Sequence, residues 1–247
     1  MGEFSGKTAL ITGSGRGIGR AAADMLASQG ARIIYHGTAL NDNLTGAARA
    51  AGNDSIPLAA DLSRSENVGK LLTAMQEMSV TPDILVLNAS AQSYMTMDEF
   101  DEDEYWRMFN TNVASSCLLL KALLPEMRKK KYGRVIFVGS INGIKPSGRL
   151  AVYGASKAAL MNFAKTCAME NAPYNITVNT ILPGVIETDR NVQALNNEDF
   201  AAMLKEKIPM HRFGQPEECA ELISFLASDK SSYITGAEIP IAGGWQL

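Results

Sequence analysis

The segment Thr8-Ala9-Leu10-Ile11-Thr12-Gly13-Ser14-Gly15-Arg16-Gly17-Ile18-Gly19 decides the fold. Its first five residues are apolar or β-branched, which is how a strand buried on both faces reads. The glycines that follow permit a tight turn and bring main-chain amides close to a bound anion. The Ala-rich stretch Gly19–Gln29 then reads as a helix, stopped by Gly30. A helix N-terminus has free N–H groups and a positive dipole end, so strand, glycine turn and helix in this order form a phosphate-binding arrangement. The spacing is TGxxxGxG, carried by Gly13, Gly17 and Gly19.

Working outward, apolar runs of strand length recur at Arg32–His36, Ser55–Ala60, Ile84–Asn88, Val135–Ser140, Thr177–Leu182 and Glu238–Ile241. Stretches of helical period separate them. Ser63 and Glu66 have capping-box spacing ahead of Val68, Leu71, Leu72 and Met75. Asp103–Lys131 reads as one long helix, acidic at its start and basic at its end as the dipole favours. Tyr153–Asn171 and Pro216–Ala227 complete the set. Repeated β-α-β units imply right-handed crossovers. The expectation is an α/β fold: a single Rossmann-type domain over 1–247, with a doubly wound parallel sheet and helices on both faces. A ligand would sit beyond the carboxyl ends of the strands. The polar stretch Asp189–Arg212, within a segment of about 187–212, is expected to be a lid over the substrate.

Composition narrows the function. The chain has 247 residues, 23 basic and 26 acidic, for a formal net charge of -3, so no nucleic-acid partner is expected. No apolar run reaches membrane-spanning length, and Glu3 and Lys7 interrupt any leader-like start; no membrane partner and a cytoplasmic location are expected. Cys117, Cys167 and Cys219 are too widely spaced for a metal or CxxC site and are expected as buried, reduced thiols. His36 and His211 are the only histidines, so no metal is expected.

In a dinucleotide-binding unit, an acid at the end of the second strand binds the ribose 2′-hydroxyl and repels a 2′-phosphate. Here that stretch is Ile33-Ile34-Tyr35-His36-Gly37-Thr38, without an acid, while Arg16 stands in the glycine turn. A guanidinium clamps a phosphate with two hydrogen bonds, and His36 and Thr38 are further candidate donors. NADP(H) is favoured, with NAD(H) the alternative. Farther on, Tyr153 and Lys157 are four residues apart on one helical face. An ammonium beside a phenol stabilises the phenolate, so Tyr153 is the candidate general acid and base.

The glycine turn, then Asn112, Ser140, Tyr153 and Lys157 in this order, resemble the short-chain dehydrogenase/reductase family over nearly the whole chain, Gly6 to Gly244. Within it the chain is most similar to 3-oxoacyl-acyl-carrier-protein reductases, with sugar and polyol dehydrogenases alongside. The resemblance implies an NADP(H)-preferring oxidoreductase that interconverts a carbonyl and a secondary alcohol on a small-molecule substrate. It implies that Ser140 binds the substrate oxygen, Tyr153 moves the proton, Lys157 holds the nicotinamide ribose and lowers the Tyr153 pKa, and Asn112 fixes a relay water. For the cofactor it implies Gly13, Ser14, Gly15, Arg16, Gly17, Ile18, Gly19, His36, Gly37, Thr38, Asp61, Leu62, Asn88, Ala89, Ser90, Pro183, Gly184, Ile186 and Thr188. Ser90 departs from the Asn-Ala-Gly pattern of the family. Substrate contacts are expected from Gln92, Tyr94, Ile141, Asn142, Lys145 and Val185; Asn142 and Lys145 make a polar mouth that suits a hydroxylated or acidic substrate. Of two implied carrier-docking positions, Lys131 keeps the charge and Tyr174 lacks the Arg. A homotetramer or homodimer is implied, with Trp245 at an interface. A non-catalytic NADP(H)-binding regulator on the same fold is the competing reading.

Overall fold

The computed structural model describes residues 2–192 and 196–247. Seven strands form one sheet: β1 Thr8–Ile11, β2 Arg32–Gly37, β3 Ile56–Ala59, β4 Ile84–Leu87, β5 Gly133–Val138, β6 Ile176–Pro183 and β7 Glu238–Ile241. Their order is β3-β2-β1-β4-β5-β6-β7, and every pairing is parallel. Both faces are covered, which is why the strands are apolar at nearly every position. Ala9, Ile11, Ile33, Tyr35, Ile84, Val86, Ile136 and Val138 point into one core. Their alternates Leu10, Ile34, Leu85, Leu87, Val135 and Phe137 point into the other.

The first face carries α1 Gly17–Ser28, α2 Asp42–Ala51 and α8 Pro216–Ala227. The second carries α3 Ser65–Glu77, α5 Ser115–Lys130 and α6 Ala151–Asn171. Among the described residues the remaining α-helices are α4 Glu102–Phe109 and α7 Glu198–Lys207. No described helix is long and apolar enough to cross a membrane.

Several expectations change. The helix expected at Asp103–Lys131 begins at Glu102, capped by Asp101, whose Oδ1 accepts from the amides of Asp103 and Glu104 at 2.8 and 3.1 Å. A π turn at Asn110–Ala114 divides it, the Ser115 N–H bonding to the Asn110 carbonyl. Ser63 caps nothing: α3 starts at Ser65, because the Asp61 carboxylate takes the Ser63 amide at 3.0 Å and builds a turn there instead. Cys167 and Cys219 are buried, but Cys117 is half-exposed. Trp245 is partly buried, against the clusters of Ile141, Met161 and Leu182 and of Ala201, Ile208 and Phe213. The proposed lid segment contains α7; residues 193–195 of it lie outside the described residues.

The turn leaving β1 is held from two sides. Asn88, just past β4, donates through Nδ2 to the carbonyls of Thr12 (2.9 Å) and Gly13 (3.1 Å). Thr12 Oγ1 accepts from the amides of Asn88 and Ala89 at 2.9 and 3.0 Å. From β2, His36 Nδ1 accepts the Gly13 N–H at 3.1 Å, and Nε2 lies 3.0 Å from the Ala60 carbonyl. The ring is therefore neutral and carries its proton on Nε2. Burial pushes the His36 pKa from 6.5 down to about 4.

A buried neutral His makes stability depend on pH. Between pH 6.5 and 4 the unfolded chain takes up a proton that the folded chain refuses. The contribution is whole above pH 6.5 and is lost as pH falls to about 4, up to roughly 3 kcal/mol. His36→Asn keeps an acceptor for Gly13 without the titration. In urea melts from pH 7.5 to 4.5, the native protein is expected to lose roughly 2.5 kcal/mol more than the variant; parallel curves would refute the buried neutral ring.

Candidate active site

A cleft of about 1240 Å³ runs along the carboxyl ends of the strands, from the glycine turn to Tyr153 and on to Trp245. Gly13 (φ +68°) and Gly17 (φ +56°) have left-handed backbone, so a side chain at either would be strained. Gly19 serves packing: a Cβ there would stand 2.4 Å from Asn88 Nδ2 and 2.4 Å from the Gly13 carbonyl. This removes two expected cofactor contacts. Gly19 is buried away from the cleft, and so is Ser14, whose hydroxyl accepts the His36 amide at 2.8 Å and whose amide donates to the His36 carbonyl at 2.9 Å. His36 does line the cleft, but not as a donor. Both its ring nitrogens are engaged inside the protein, so it positions Gly13 and has no donor for a phosphate.

The other expected residues at this end do face the cleft: Gly13, Gly15, Arg16, Gly17, Ile18, Gly37, Thr38, Asp61 and Leu62, and across from them Asn88, Ala89 and Ser90. Asn41 and Asn43 join them past β2. None of the residues at the end of β2 and past it that line the cleft, from Gly37 to Leu44, carries a carboxylate; Asp42 is exposed in the first turn of α2 and does not line it. Arg16 is exposed and extended at the cap of α1, free to meet an anion at the helix N-terminus.

At the other end, Ser140, Tyr153 and Lys157 line the cleft. Ser140 Oγ accepts the Asn142 amide at 3.1 Å, which leaves its own proton to donate inward. Tyr153 and Lys157 lie one turn apart on α6 and are 6% and 2% exposed, so desolvation dominates both. Burial pushes the Tyr153 hydroxyl up, against the lowering influence of the Arg190 charge and the Ser140 and Ser90 hydroxyls. Ser90 Oγ is shielded from solvent and makes no well-aligned hydrogen bond, yet it stands close enough to favour the Tyr153 phenolate. Burial, then the Arg190 charge, lowers Lys157 to about 7. Its Nζ donates to the Val138 carbonyl at 2.9 Å. Burial leads both shifts, and Lys157 is not among the groups that bear on the Tyr153 hydroxyl.

Asn112 does not face the cleft. Its Oδ1 accepts the Ala91 amide at 2.7 Å, and its Nδ2 donates to the Ala91 carbonyl and Ser156 Oγ, both at 2.9 Å. The side chain locks the π turn to α6 and to the loop after β4, and so holds the helix that presents Tyr153. Pro183, Gly184, Ile186 and Thr188 line the wall beyond β6, and Thr188 Cγ2 would lie 3.2 Å from a Cβ on Gly17. Gln92, Tyr94, Ile141, Asn142, Lys145 and Val185 also line the cleft. Lys145, however, is tied down, donating to the main-chain oxygens of Trp245 (2.6 Å) and Leu247 (3.3 Å). Sequence reasoning missed Arg190, which lines the cleft and donates to the Ser90 carbonyl at 2.6 Å. Its only sequence signal is a cation two residues past Thr188. No group of His, Cys, Asp and Glu able to hold a metal forms among the described residues.

A family model described as enoyl-(acyl carrier protein) reductase matches residues 13–246. The chain is 39% identical over 248 residues to a 3-oxoacyl-[acyl-carrier-protein] reductase of Vibrio cholerae, covering 99% of each. It is similar in structure to the 3-oxoacyl (acyl-carrier-protein) reductase of Agrobacterium tumefaciens with NADP bound (TM-score 0.91, 35% identity, 98% and 95% of the two chains). It is also similar to the L-sorbose reductase of Gluconobacter frateurii complexed with NADPH and L-sorbose (TM-score 0.92, 32% identity, 100% and 99%). These full-length matches, on a seven-stranded parallel sheet with the glycine turn and the Ser–Tyr–Lys cluster at one cleft, place the chain in the short-chain dehydrogenase/reductase family, as an NAD(P)-dependent oxidoreductase.

Proposed function

We propose that the protein reduces a carbonyl to a secondary alcohol with NADPH, and runs the reverse reaction with NADP. The observation that carries this is one cleft with a glycine turn, Arg16 and an acid-free β2 end on one side, and the Ser140, Tyr153 and Lys157 groups on the other. NADPH held by the glycine turn, Asp61, Asn88 and Thr188 would supply the hydride. Arg16 and Thr38 would receive its 2′-phosphate. Ser140 donates its free proton to the substrate oxygen and stabilises charge as it develops there. Tyr153 passes its proton to the same oxygen. Burial keeps the phenol protonated, so it holds the proton it passes on. Lys157 braces the site beneath it and takes up charge when an anionic partner faces it.

The named relatives support a second reading within this one, a carrier-bound 3-oxoacyl substrate. One structural detail favours it. Tyr174 lacks the expected charge, but the Arg128 guanidinium stands over its ring, 5.3 Å from the centroid, and adds a cation near Lys131. The remaining expectations stand as part of the proposal: a reducing, cytoplasmic setting; a homotetramer or homodimer, in which exposed Tyr233 and Met169 would be covered; and closure of the 187–212 segment over the substrate.

Tyr153→Phe is expected to lower NADPH-dependent reduction of acetoacetyl thioesters, keto-sugars and simple ketones by at least about 1000-fold, while the NADPH Kd changes less than about 3-fold. Full activity would remove Tyr153 from the chemistry, and NADPH binding without turnover by the native protein would favour the regulator. Arg16→Ala is expected to raise the KM for NADPH roughly 10-fold or more and leave that for NADH nearly unchanged; equal effects would put the 2′-phosphate elsewhere. Lys131→Glu is expected to raise KM for a carrier-bound 3-oxoacyl substrate alone. An equal rise with the free thioester counts against carrier docking.

A further inference from the structure

Among the described residues, Arg190 and Lys207 are the cations lining the substrate side of the cleft whose exposed charge no acid pairs, and of the two it is Arg190 whose charge bears on Tyr153. Lys157 is buried against the Val138 carbonyl, and Lys145 is tied to the C-terminal main chain. Arg107 is paired with Glu104 at 2.7 Å. Among the described residues no Asp or Glu pairs with Arg190; its neighbour Asp189 also lines the cleft without contacting it. A single hydrogen bond, Nη2 to the Ser90 carbonyl at 2.6 Å, aims the guanidinium. That bond anchors it at the end of β4, where Ser90 stands beside Tyr153. Nε and Nη1 keep their protons for a ligand. The charge is felt at both Tyr153 and Lys157, so it lies within electrostatic reach of the reacting oxygen.

A guanidinium fixed at one corner, with two free donors, matches a planar or tetrahedral oxyanion, and burial of an opposite charge beside it is favourable. We infer that Arg190 selects a carbonyl substrate that carries an anionic oxygen group, a carboxylate or a phosphate, a short reach from the carbonyl, and binds that group directly. This rests on the reductase reading above and adds its substrate class. The hydrophilic neighbours Asn142, Gln92 and Ser147 suit such a substrate better than a bare hydrocarbon.

Two matched pairs test it, in NADPH oxidation by the native enzyme and by Arg190→Gln: acetoacetate against its methyl ester, and dihydroxyacetone phosphate against dihydroxyacetone. Each pair keeps the carbonyl and removes the charge. The native enzyme is expected to prefer the charged member of at least one pair. Arg190→Gln should lower kcat/KM for that member roughly 10–100-fold more than for the neutral member, the excess falling mostly in KM. The pair that responds tells carboxylate from phosphate. Equal losses on charged and neutral members, or turnover of neutral members only, overturns the assignment. A rise in KM for NADPH in place of the substrate effect also overturns it, and assigns Arg190 to the cofactor phosphates. Silence of the native enzyme on all four compounds and on the thioesters, with NADPH bound, defeats the reductase reading itself.

Discussion

One amide group governs the cofactor end of this protein. Asn88 Nδ2 bonds the carbonyls of Thr12 and Gly13, so the end of β4 fixes the path of the chain as it leaves β1. β1 and β4 are neighbours at the point where the strand order reverses, so the turn lies over the crevice that such sheets open. Gly19 must lack a Cβ because α1 lies against that same amide and the Gly13 carbonyl. His36 and Ser14 then fasten the turn from β2. With those main-chain groups satisfied inside the fold, Gly15, Arg16, Gly17 and Ile18 are left facing the cleft. The division between residues that shape the turn and residues that face a ligand follows from this packing.

Burial sets the chemistry at the other end. α6 places Tyr153 and Lys157 one turn apart, and the Asn112 bonds to Ala91 and Ser156 hold that helix against the π turn. A dry site disfavours charge, so the phenol rises and the ammonium falls. Two weakly charged groups make a cheap resting state. They also make the site responsive, since an anion placed among them shifts both equilibria at once.

The sheet was legible in the sequence because burial on two faces leaves strands apolar at nearly every position, and β7 matches its expected bounds, Glu238–Ile241. The Ser140, Tyr153 and Lys157 cluster was legible because a helical turn and a strand end set its spacing. What escaped depends on contacts between distant segments. α2 is short and interrupted by Gly46, although Asn41 caps it by accepting the Leu44 amide at 3.0 Å and Leu44, Ala47 and Ala48 are its buried stripe. The π turn has no local signature, since its partners Ala91 and Ser156 are remote. His36 looks like a donor until β3 brings the Ala60 carbonyl to its ring. Lys145 looks like a substrate cation until the C-terminus folds over it. For His36 and Lys145 a polar side chain found a main-chain partner that spacing alone does not reveal.

The two ends of the cleft are built to different standards of rigidity. The cofactor end is a network of buried, mutually dependent hydrogen bonds, where losing one partner strands another at a cost of roughly 1–3 kcal/mol. The walls of the substrate end are held by a few partly exposed bonds: Arg190 to Ser90, Lys145 to Trp245 and Leu247, and Ser147 to Asn142. Each contributes roughly 1 kcal/mol, and none supports a neighbour. A change in the substrate wall therefore leaves the fold and cofactor site intact, whereas a change in the glycine turn does not. That asymmetry lets one scaffold keep its hydride chemistry while its choice of carbonyl moves with a residue such as Arg190.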